Sequence, residues 1–113
     1  MSKLDEKIAA YQEEAKKLGL DVPATLIEKV TRGLGPSIYK KDSETVACSQ
    51  KSEMDRVKTN FLQKKLGLTE DDAALEAAIK AVCEEMGSKN PAKKRALFYA
   101  LLTKKFGKES VYA

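Results

Sequence analysis

The stretch that decides the fold lies near the C-terminus and reads Ala96-Leu97-Phe98-Tyr99-Ala100-Leu101-Leu102. On a helix, seven consecutive apolar residues cover every side for nearly two turns, so such a segment has to be covered from several directions. The run therefore predicts either the central helix of a bundle, which is the favoured interpretation, or a helix with one face kept for a partner. In the second case the partner interface would consist of Phe98, Tyr99 and Leu102, with the Tyr99 hydroxyl at its polar edge.

Outside this run, apolar residues recur every three or four positions, which is the period of an α-helix. The strict alternation of a half-buried strand is nearly absent. Helix starts are marked by capping residues or proline, and helix ends by glycine. The predicted helices run from Ser2 to Gly19, from Pro23 or Ala24 to Gly33, from Ser49 or Ser52 to Gly67, from the capping-box variant at Thr69 to Gly87, and from Asn90-Pro91 to Phe106, with Gly107 as the stop.

Residues 36–48 carry weaker signals. Ile38 and Tyr39 fit one helical turn after a Gly-Pro break, and Asp42 or Ser43 could cap another short piece that carries Val46 and Ala47. We therefore predict an all-α fold: one compact domain over residues 1–113, with four to five main helices and one or two short helical turns around residues 36–48. The side chains expected among the most buried are Leu62, Ile79, Val82, Phe98, Leu101 and Leu102.

A Lys-Lys-apolar-Gly pattern occurs three times, at residues 16–19, 64–67 and 104–107. Lysines are favourable at the negative end of a helix dipole, and glycine readily takes the left-handed conformation that ends a helix. Helix capping is the favoured interpretation. Since the first two copies both continue into a leucine and a further helix, duplication of a helical hairpin is the alternative.

Composition excludes several kinds of chemistry. The 113 residues contain no His, which rules out an imidazole base and His metal ligands, and the only two cysteines, Cys48 and Cys83, form no CxxC pair. We predict a protein that is not an enzyme and has no metal or cofactor. Cys48 precedes a helix start and is the only nucleophile to name, although a small buried residue is the favoured interpretation, as it is for Cys83.

The expected location is the cytoplasm, with both thiols reduced. Residues 1–7 have no apolar segment of the kind found in secretory signals. No apolar run approaches the roughly 20 residues that a membrane span needs, so no membrane contact is expected.

Charge is uneven along the chain, although the net charge is only +4. Residues 69–87 are strongly acidic, whereas residues 88–113 are basic and could contact the phosphates of a nucleic acid. The favoured interpretation is that two neighbouring antiparallel helices of opposite sign partly cancel. The residues of the anion or nucleic-acid alternative are Lys89, Lys93, Lys94, Arg95, Lys104, Lys105 and Lys108. The glycine-rich residues 31–37 could hold an anion at a helix start, but they lack the Walker spacing, and a plain interhelical turn is favoured.

Three stretches resemble a known family: Gly35-Pro36-Ser37-Ile38-Tyr39, residues 57–68 (VKTNFLQKKLGL), and Phe98-Tyr99 with residues 104–112 (KKFGKESVY). The family comprises small bacterial proteins and is catalogued as domain of unknown function 2853. The resemblance spans nearly the whole chain and implies a compact all-α domain in a bacterial cytoplasm. It implies no activity and no site residues, although residues 35–39 are the first place to look for a family-specific contact.

The sequence thus predicts a non-enzymatic helical module that interacts with another protein or with itself. Its motivation is the apolar last helix together with the lack of a coherent catalytic set. Weak nucleic-acid binding through the basic C-terminal helix is the alternative.

Overall fold

The computed structural model describes residues 3–87 and 93–112, except for the side chains of Lys41 and Asp42. In these ranges the chain is helical, and β-structure is limited to an isolated antiparallel bridge between Thr45 and Lys94. The all-α prediction is therefore confirmed. The elements are α1 (Lys3–Leu18), α2 (Ala24–Leu34), a 3-10 turn (Gly35–Tyr39), α3 (Lys41–Glu44), α4 (Lys51–Arg56), a π-helical segment (Val57–Lys65), α5 (Asp72–Glu85), α6 (Arg95–Lys105) and a C-terminal 3-10 turn (Glu109–Tyr112).

Helix α6 is the central helix of the bundle. It contacts α1, α2, α3 and α5, so its apolar residues are covered from several sides, as the sequence predicts. Burial of this apolar area, worth about 25 cal/mol per Å², is the main force that holds the bundle together. All six side chains predicted to be among the most buried lie in the core: Leu62, Ile79, Val82, Phe98, Leu101 and Leu102.

The repeated Lys-Lys-apolar-Gly pattern ends helices, as the capping interpretation predicts. The three glycines, Gly19, Gly67 and Gly107, have φ values of 69°, 66° and 65°. These values lie in the left-handed region, where a residue with a Cβ would be strained. The pattern therefore has a complete explanation in local backbone geometry.

Helix starts differ from the prediction in their details. α5 begins at Asp72, and its N-cap is Asp71, whose carboxylate accepts a hydrogen bond from the backbone N–H of Ala74 at 2.8 Å. The predicted capping box at Thr69 is wrong by two residues, because the side chain that accepts the capping hydrogen bond is the Asp71 carboxylate at the positive end of the helix dipole. The predicted starts at Ser2 and Asn90-Pro91 lie outside the described residues. α6 is helical from Arg95, after an extended Lys94.

The prediction that Val46 and Ala47 lie on a short helix is wrong. The short helix α3 ends at Glu44, and the chain then runs extended. The Val46 backbone N–H donates to the Lys93 carbonyl oxygen at 2.8 Å, and its side chain is buried. Pairing with the strand-like residues before α6 satisfies this backbone and buries Val46, which a solvent-exposed helical turn would not do.

The helix predicted from Ser49 or Ser52 to Gly67 is present over residues 51–65, but it widens after Arg56. Val57–Lys65 is a π-helix, and at its end the Leu66 N–H donates to the Phe61 carbonyl five residues earlier, at 2.9 Å. Segments of this kind are rare and frequently occur at functional sites. Here the segment buries Phe61 and Leu62 in the core and presents Lys58 and Thr59 to a groove.

Candidate functional site

A groove of about 680 Å³ lies between α4 with the π-helical segment on one side and α5 on the other. Its volume is in the range of pockets that hold small ligands or the side chains of a partner. We call it the disulfide groove, because the two cysteines on its wall are bonded to each other. It is lined by Cys48, Lys51, Met54, Asp55, Lys58, Thr59, Glu76, Ile79, Lys80 and Cys83.

The bond between Cys48 and Cys83 corrects the expectation of two reduced thiols. It links the irregular stretch before α4 to α5 across 35 residues of sequence. Cys83 is 9% exposed, and its sulfur lies 3.9 Å from Sδ of Met54. Neither cysteine is free, so Cys48 has no thiolate that could act as a nucleophile while the disulfide is closed. The pairing depends on how α4 and α5 pack, which no local sequence signal reports.

The rest of the groove combines apolar and charged groups. Met54 and Ile79 supply apolar surface, while Nζ of Lys58 lies 2.9 Å from an Oε of Glu76 and 3.8 Å from an Oδ of Asp72. The hydrogen bond to Glu76 raises the pKa of the Lys58 amine above its ordinary value. One wall of the groove therefore carries an ion-pair network in which Lys58 contacts both Glu76 and Asp72.

The sequence-predicted partner interface is largely inaccessible. Phe98 and Leu102 are both 0% exposed. The prediction that Phe98 and Leu102 form a partner interface is therefore wrong, because α6 is covered by the other helices of the same chain. Tyr99 is the only one of the three with a surface-accessible part, and its ring stacks on Phe61 with centroids 3.8 Å apart.

Tyr99 belongs to a polar cluster with Arg95 and Glu53. Nη1 of Arg95 donates to the Tyr99 hydroxyl at 2.9 Å, and Nη2 of Arg95 donates to Oε1 of Glu53. Burial raises the pKa of Tyr99. Burial alone would lower the pKa of Arg95, but Tyr99 and Glu53 hold it above its ordinary value. This cluster links α6 to α4. Its polar groups are hydrogen-bonded to one another, which is typical of a structural network.

The structure disperses the basic residues proposed for anion or nucleic-acid contact. Lys93 is only 5% exposed, and Arg95 is engaged by Glu53 and by the carbonyls of Ser43 and Thr45. These two are corrected to structural residues, since neither presents its charge to a ligand. Nζ of Lys104 lies 2.9 Å from Oδ2 of Asp21.

The remaining members of that set stay untested. Lys105 is exposed, Lys94 and Lys108 are half-buried, and Lys89 lies outside the described residues. The expected cancellation of charge between the last two helices takes another form. α5 packs on α6, but the ion pairs seen for the α5 carboxylates in the described ranges go to Lys58.

The glycine-rich residues 31–37 form the end of α2 and the 3-10 turn, as the plain-turn interpretation predicts. Oγ of Ser37 donates to the Leu34 carbonyl at 3.0 Å, and Ser43 donates to the Ser37 carbonyl at 2.9 Å. The ring of Tyr112 packs against Gly33, where an added Cβ would lie 3.2 Å from it. This stretch is therefore occupied by contacts within the chain.

A second polar cluster lies under the N-terminal helix. The Tyr11 hydroxyl donates to Oε2 of Glu44 at 2.6 Å, and Nζ of Lys7 donates to the same oxygen at 2.5 Å. Burial, followed by the bond to Glu44, raises the pKa of Tyr11. Burial alone would raise the pKa of Glu44, but the bonds from Lys7 and Tyr11 lower it below its ordinary value. The cluster pins α3 to α1.

Within residues 3–87 and 93–112, no buried side-chain nitrogen or oxygen lacks a hydrogen-bond partner, and no group of three or more His, Cys, Asp or Glu is placed to hold a metal ion. No helix in the same ranges is both long and apolar enough to span a bilayer. What sets the disulfide groove apart is therefore its shape and its sulfur pair. Sequence reasoning missed it because the two cysteines are distant in the chain.

The profile of the family described as "Protein of unknown function (DUF2853)" matches residues 10–110. The chain belongs to this family, as the resemblance noted in the sequence indicates. No curated protein matches the chain significantly.

Proposed function

We propose that this chain is a non-enzymatic protein-interaction module that binds a segment of a partner protein in the disulfide groove. The observation that carries the proposal is the groove itself, which is lined by apolar side chains, Met54 and Ile79 among them, together with charged ones. Apolar surface in a concave site supplies binding energy, and charges at its rim fix the orientation of the bound segment.

A foreign partner is favoured over a second copy of the chain. The exposed large apolar residues in the described ranges are Leu18, Tyr39 and Val111, which lie on three different elements and do not line the groove. Large contiguous apolar patches mark association surfaces, and exposed apolar residues on three separate elements give less support for such a surface than the groove gives for a bound segment. The expected occupant is therefore a partner segment with an apolar anchor flanked by charges of both signs, to match Lys51, Lys80 and Asp55 on the rim.

The test places a photo-crosslinking amino acid at Thr59, which is exposed and lines the groove. The partner identified in this way is purified and titrated against Thr59→Arg, which fills the groove without removing a core contact. The matched control is Gln63→Arg on the same helical segment, also exposed but outside the groove. We expect Thr59→Arg to weaken binding at least about tenfold, or 1.4 kcal/mol, and Gln63→Arg to leave it unchanged.

Equal affinities for the two variants would refute the groove as the binding face. Sedimentation of the purified chain at high concentration gives the second outcome. A dimer that Thr59→Arg disperses would identify the occupant as a second copy and would contradict the proposal of a foreign partner.

Nucleic-acid binding remains the second candidate function. Fewer side chains are available for it than the sequence indicated. The side chains that could still serve it are Lys94, Lys105 and Lys108, with Lys89 outside the described ranges. Titration with labelled DNA and RNA distinguishes it from protein binding. An absence of binding at about 50 mM salt would remove this candidate, since phosphate contacts are strongest at low salt.

We also propose that the module works in a bacterial cytoplasm, which the family resemblance supports. Cytoplasmic thiol systems keep most cysteines reduced, and disulfides found there are usually transient, catalytic or redox-sensing. In that compartment we expect the Cys48–Cys83 bond to be of this transient, catalytic or redox-sensing kind. Fractionation of the native host, followed by alkylation of free thiols, measures both the compartment and the state of the bond.

A further inference from the structure

We propose that the Cys48–Cys83 disulfide is a thiol–disulfide exchange site, which reacts with a low-molecular-weight thiol that enters the disulfide groove. Both cysteines line this groove of about 680 Å³, so the bond borders a space large enough for a small peptide thiol. This inference does not depend on whether the groove also binds a partner protein.

The two cysteines differ in the exposure of the whole residue and in the structure that surrounds them. Cys48 is half-buried, packs against the hydrophobic cluster and lies in the irregular stretch before α4, where the Gln50 N–H bonds to the Ala47 carbonyl. Cys83 is 9% exposed and sits within α5 as part of the hydrophobic cluster. Because exchange requires access to the attacked sulfur, the incoming thiolate meets Sγ of Cys48.

The chemistry balances with the thiol as the only co-reactant. A thiolate attacks Sγ of Cys48, a new S–S bond forms to the small molecule, and the Cys48–Cys83 bond breaks. Its electron pair leaves on Cys83, which takes a proton from water. A second thiolate attacks the small-molecule sulfur of the mixed disulfide and releases Cys48. Two cysteines are thereby reduced and two small thiols are oxidised to their disulfide, and the reverse reaction closes the bond again.

The fold does not depend on this bond for its closure. Small domains need disulfides when their core is insufficient, whereas here the buried cluster joins the main helices. The segment that carries Cys48 is also held from its other side. Val46 N–H bonds to the Lys93 carbonyl at 2.8 Å, and Nε of Arg95 donates to the Ser43 carbonyl at 2.7 Å. The disulfide can therefore open while the native fold persists.

The charged residues that line the groove indicate which charge the reacting thiol carries. Among the residues that line the groove, three lysines (Lys51, Lys58 and Lys80) outnumber two acids (Asp55 and Glu76), while Asp72 lies outside the lining, 3.8 Å from Lys58. Lys58 is occupied by Glu76, which leaves the exposed Lys51 and Lys80 for the carboxylates of a ligand. The reacting class is thus a carboxylate-bearing thiol, of which glutathione is the probe.

The test incubates the folded, full-length chain in glutathione buffers of increasing reduced-to-oxidised ratio, quenches with acid, alkylates free thiols and measures intact mass. We expect the bond to open in reduced glutathione with no loss of helical circular dichroism, and the transient adduct to map to Cys48. A bond that stays closed in excess reduced glutathione until the chain is unfolded would overturn the proposal, as would an adduct found on Cys83.

Single-cysteine variants give a matched comparison. Cys83→Ser leaves only Cys48, and Cys48→Ser leaves only Cys83. We expect the Cys48 thiol to form the mixed disulfide with oxidised glutathione at least about tenfold faster. Equal rates would contradict the assignment, and if either variant fails to fold, the adduct map of the unaltered chain still tests it.

Cysteamine, a cationic thiol, tests the charge preference. At equal thiolate concentration and low salt, we expect glutathione to open the bond several-fold faster, with the difference lost at high salt. Equal rates at low salt would refute the preference for a carboxylate-bearing thiol. All these measurements follow the sulfurs and the helical content of the isolated chain, so their failure is distinct from failure to find a partner protein.

Discussion

The ring of Tyr99 lies flat against the ring of Phe61, with centroids 3.8 Å apart and planes inclined by 10°. Phe61 belongs to the π-helical segment and Tyr99 to the central helix, so the stack couples the wall of the disulfide groove to the middle of the bundle. Arg95 adds a hydrogen bond to the Tyr99 hydroxyl at 2.9 Å. A structural role for Tyr99 follows from these contacts.

Substitutions at Tyr99 should separate the stack from the hydrogen bond. Tyr99→Phe keeps the ring and removes the hydroxyl, and should lower the free energy of unfolding by about 1 kcal/mol. Tyr99→Ala also removes the ring and should cost about 3–5 kcal/mol. Urea denaturation measures both. Equal losses for the two variants would show that the stack contributes nothing.

Arg95 should be essential for stability rather than for ligand binding. It joins Glu53 and the carbonyls of Ser43 and Thr45, and its side chain is 14% exposed. Arg95→Met leaves Glu53 without its partner and should lower the free energy of unfolding by about 3–5 kcal/mol. The double variant Arg95→Met with Glu53→Gln should recover part of this loss, because no unpaired charge remains. A loss below about 0.5 kcal/mol for the single variant would contradict the assignment.

Leu101→Ala tests the central position of α6. Leu101 is 5% exposed, and its truncation should lower the free energy of unfolding by roughly 2–5 kcal/mol. The matched control is Leu18→Ala, at a position that is 40% exposed, with an expected loss below about 1 kcal/mol. Thermal unfolding followed by circular dichroism compares them, and similar melting temperatures for the two variants would count against this core.

Glu44 should make stability depend on pH. Its pKa is lower in the folded chain than its ordinary value of 4.5, because Lys7 and Tyr11 donate to the ionised carboxylate. The contribution is therefore present above pH 4.5 and is lost as the pH falls through the folded-state pKa. Glu44→Gln should cost about 1–3 kcal/mol at pH 7, and this difference should shrink below pH 4.5.

Glu14 provides a control of opposite sign. Burial raises its pKa above the ordinary value, so its ionised form is less favourable in the folded chain than in the unfolded one. Glu14→Gln should therefore stabilise the chain at neutral pH and lose that advantage in acid. If both glutamine variants had the same pH dependence, the local causes assigned to these two carboxyl groups would be wrong.

Opening the disulfide should weaken the fold without abolishing it. Closure of a 35-residue separation restricts the unfolded chain by about 4 kcal/mol in the loop-entropy description, with 2–4 kcal/mol typical of measured bonds. Urea unfolding with and without dithiothreitol should differ by that amount, while far-ultraviolet circular dichroism stays helical in both. Complete loss of helix on reduction would show that the core is insufficient without the bond.

Much of the fold was predictable from local patterns. The spacing of apolar residues, the glycines that end helices and the apolar run at residues 96–102 predicted the helices and the buried Leu62, Phe98 and Leu102. The errors fall where non-local pairing prevails. Val46 runs extended because Lys93 satisfies its backbone, and the π-helical segment has no composition signal that separates it from an ordinary α-helix.

The candidate site was much less accessible to prediction. The sequence indicated Lys93 and Arg95 as candidate anion contacts, but the fold buries Lys93, and Arg95 donates a hydrogen bond to Glu53. The pairing of Cys48 with Cys83 was missed entirely. Which charge is masked and which sulfurs meet depends on how helices pack across tens of residues.

The amino-acid sequence alone determined the helical architecture, the ends of the helices and the identity of the core. These features follow from interactions between residues three or four positions apart and from the left-handed backbone conformation that glycine readily adopts. Packing of α4 and the π-helical segment against α5 created the groove and brought the sulfurs together. Such contacts join residues that are distant in the chain, and their geometry exists only after the apolar faces have been buried against one another.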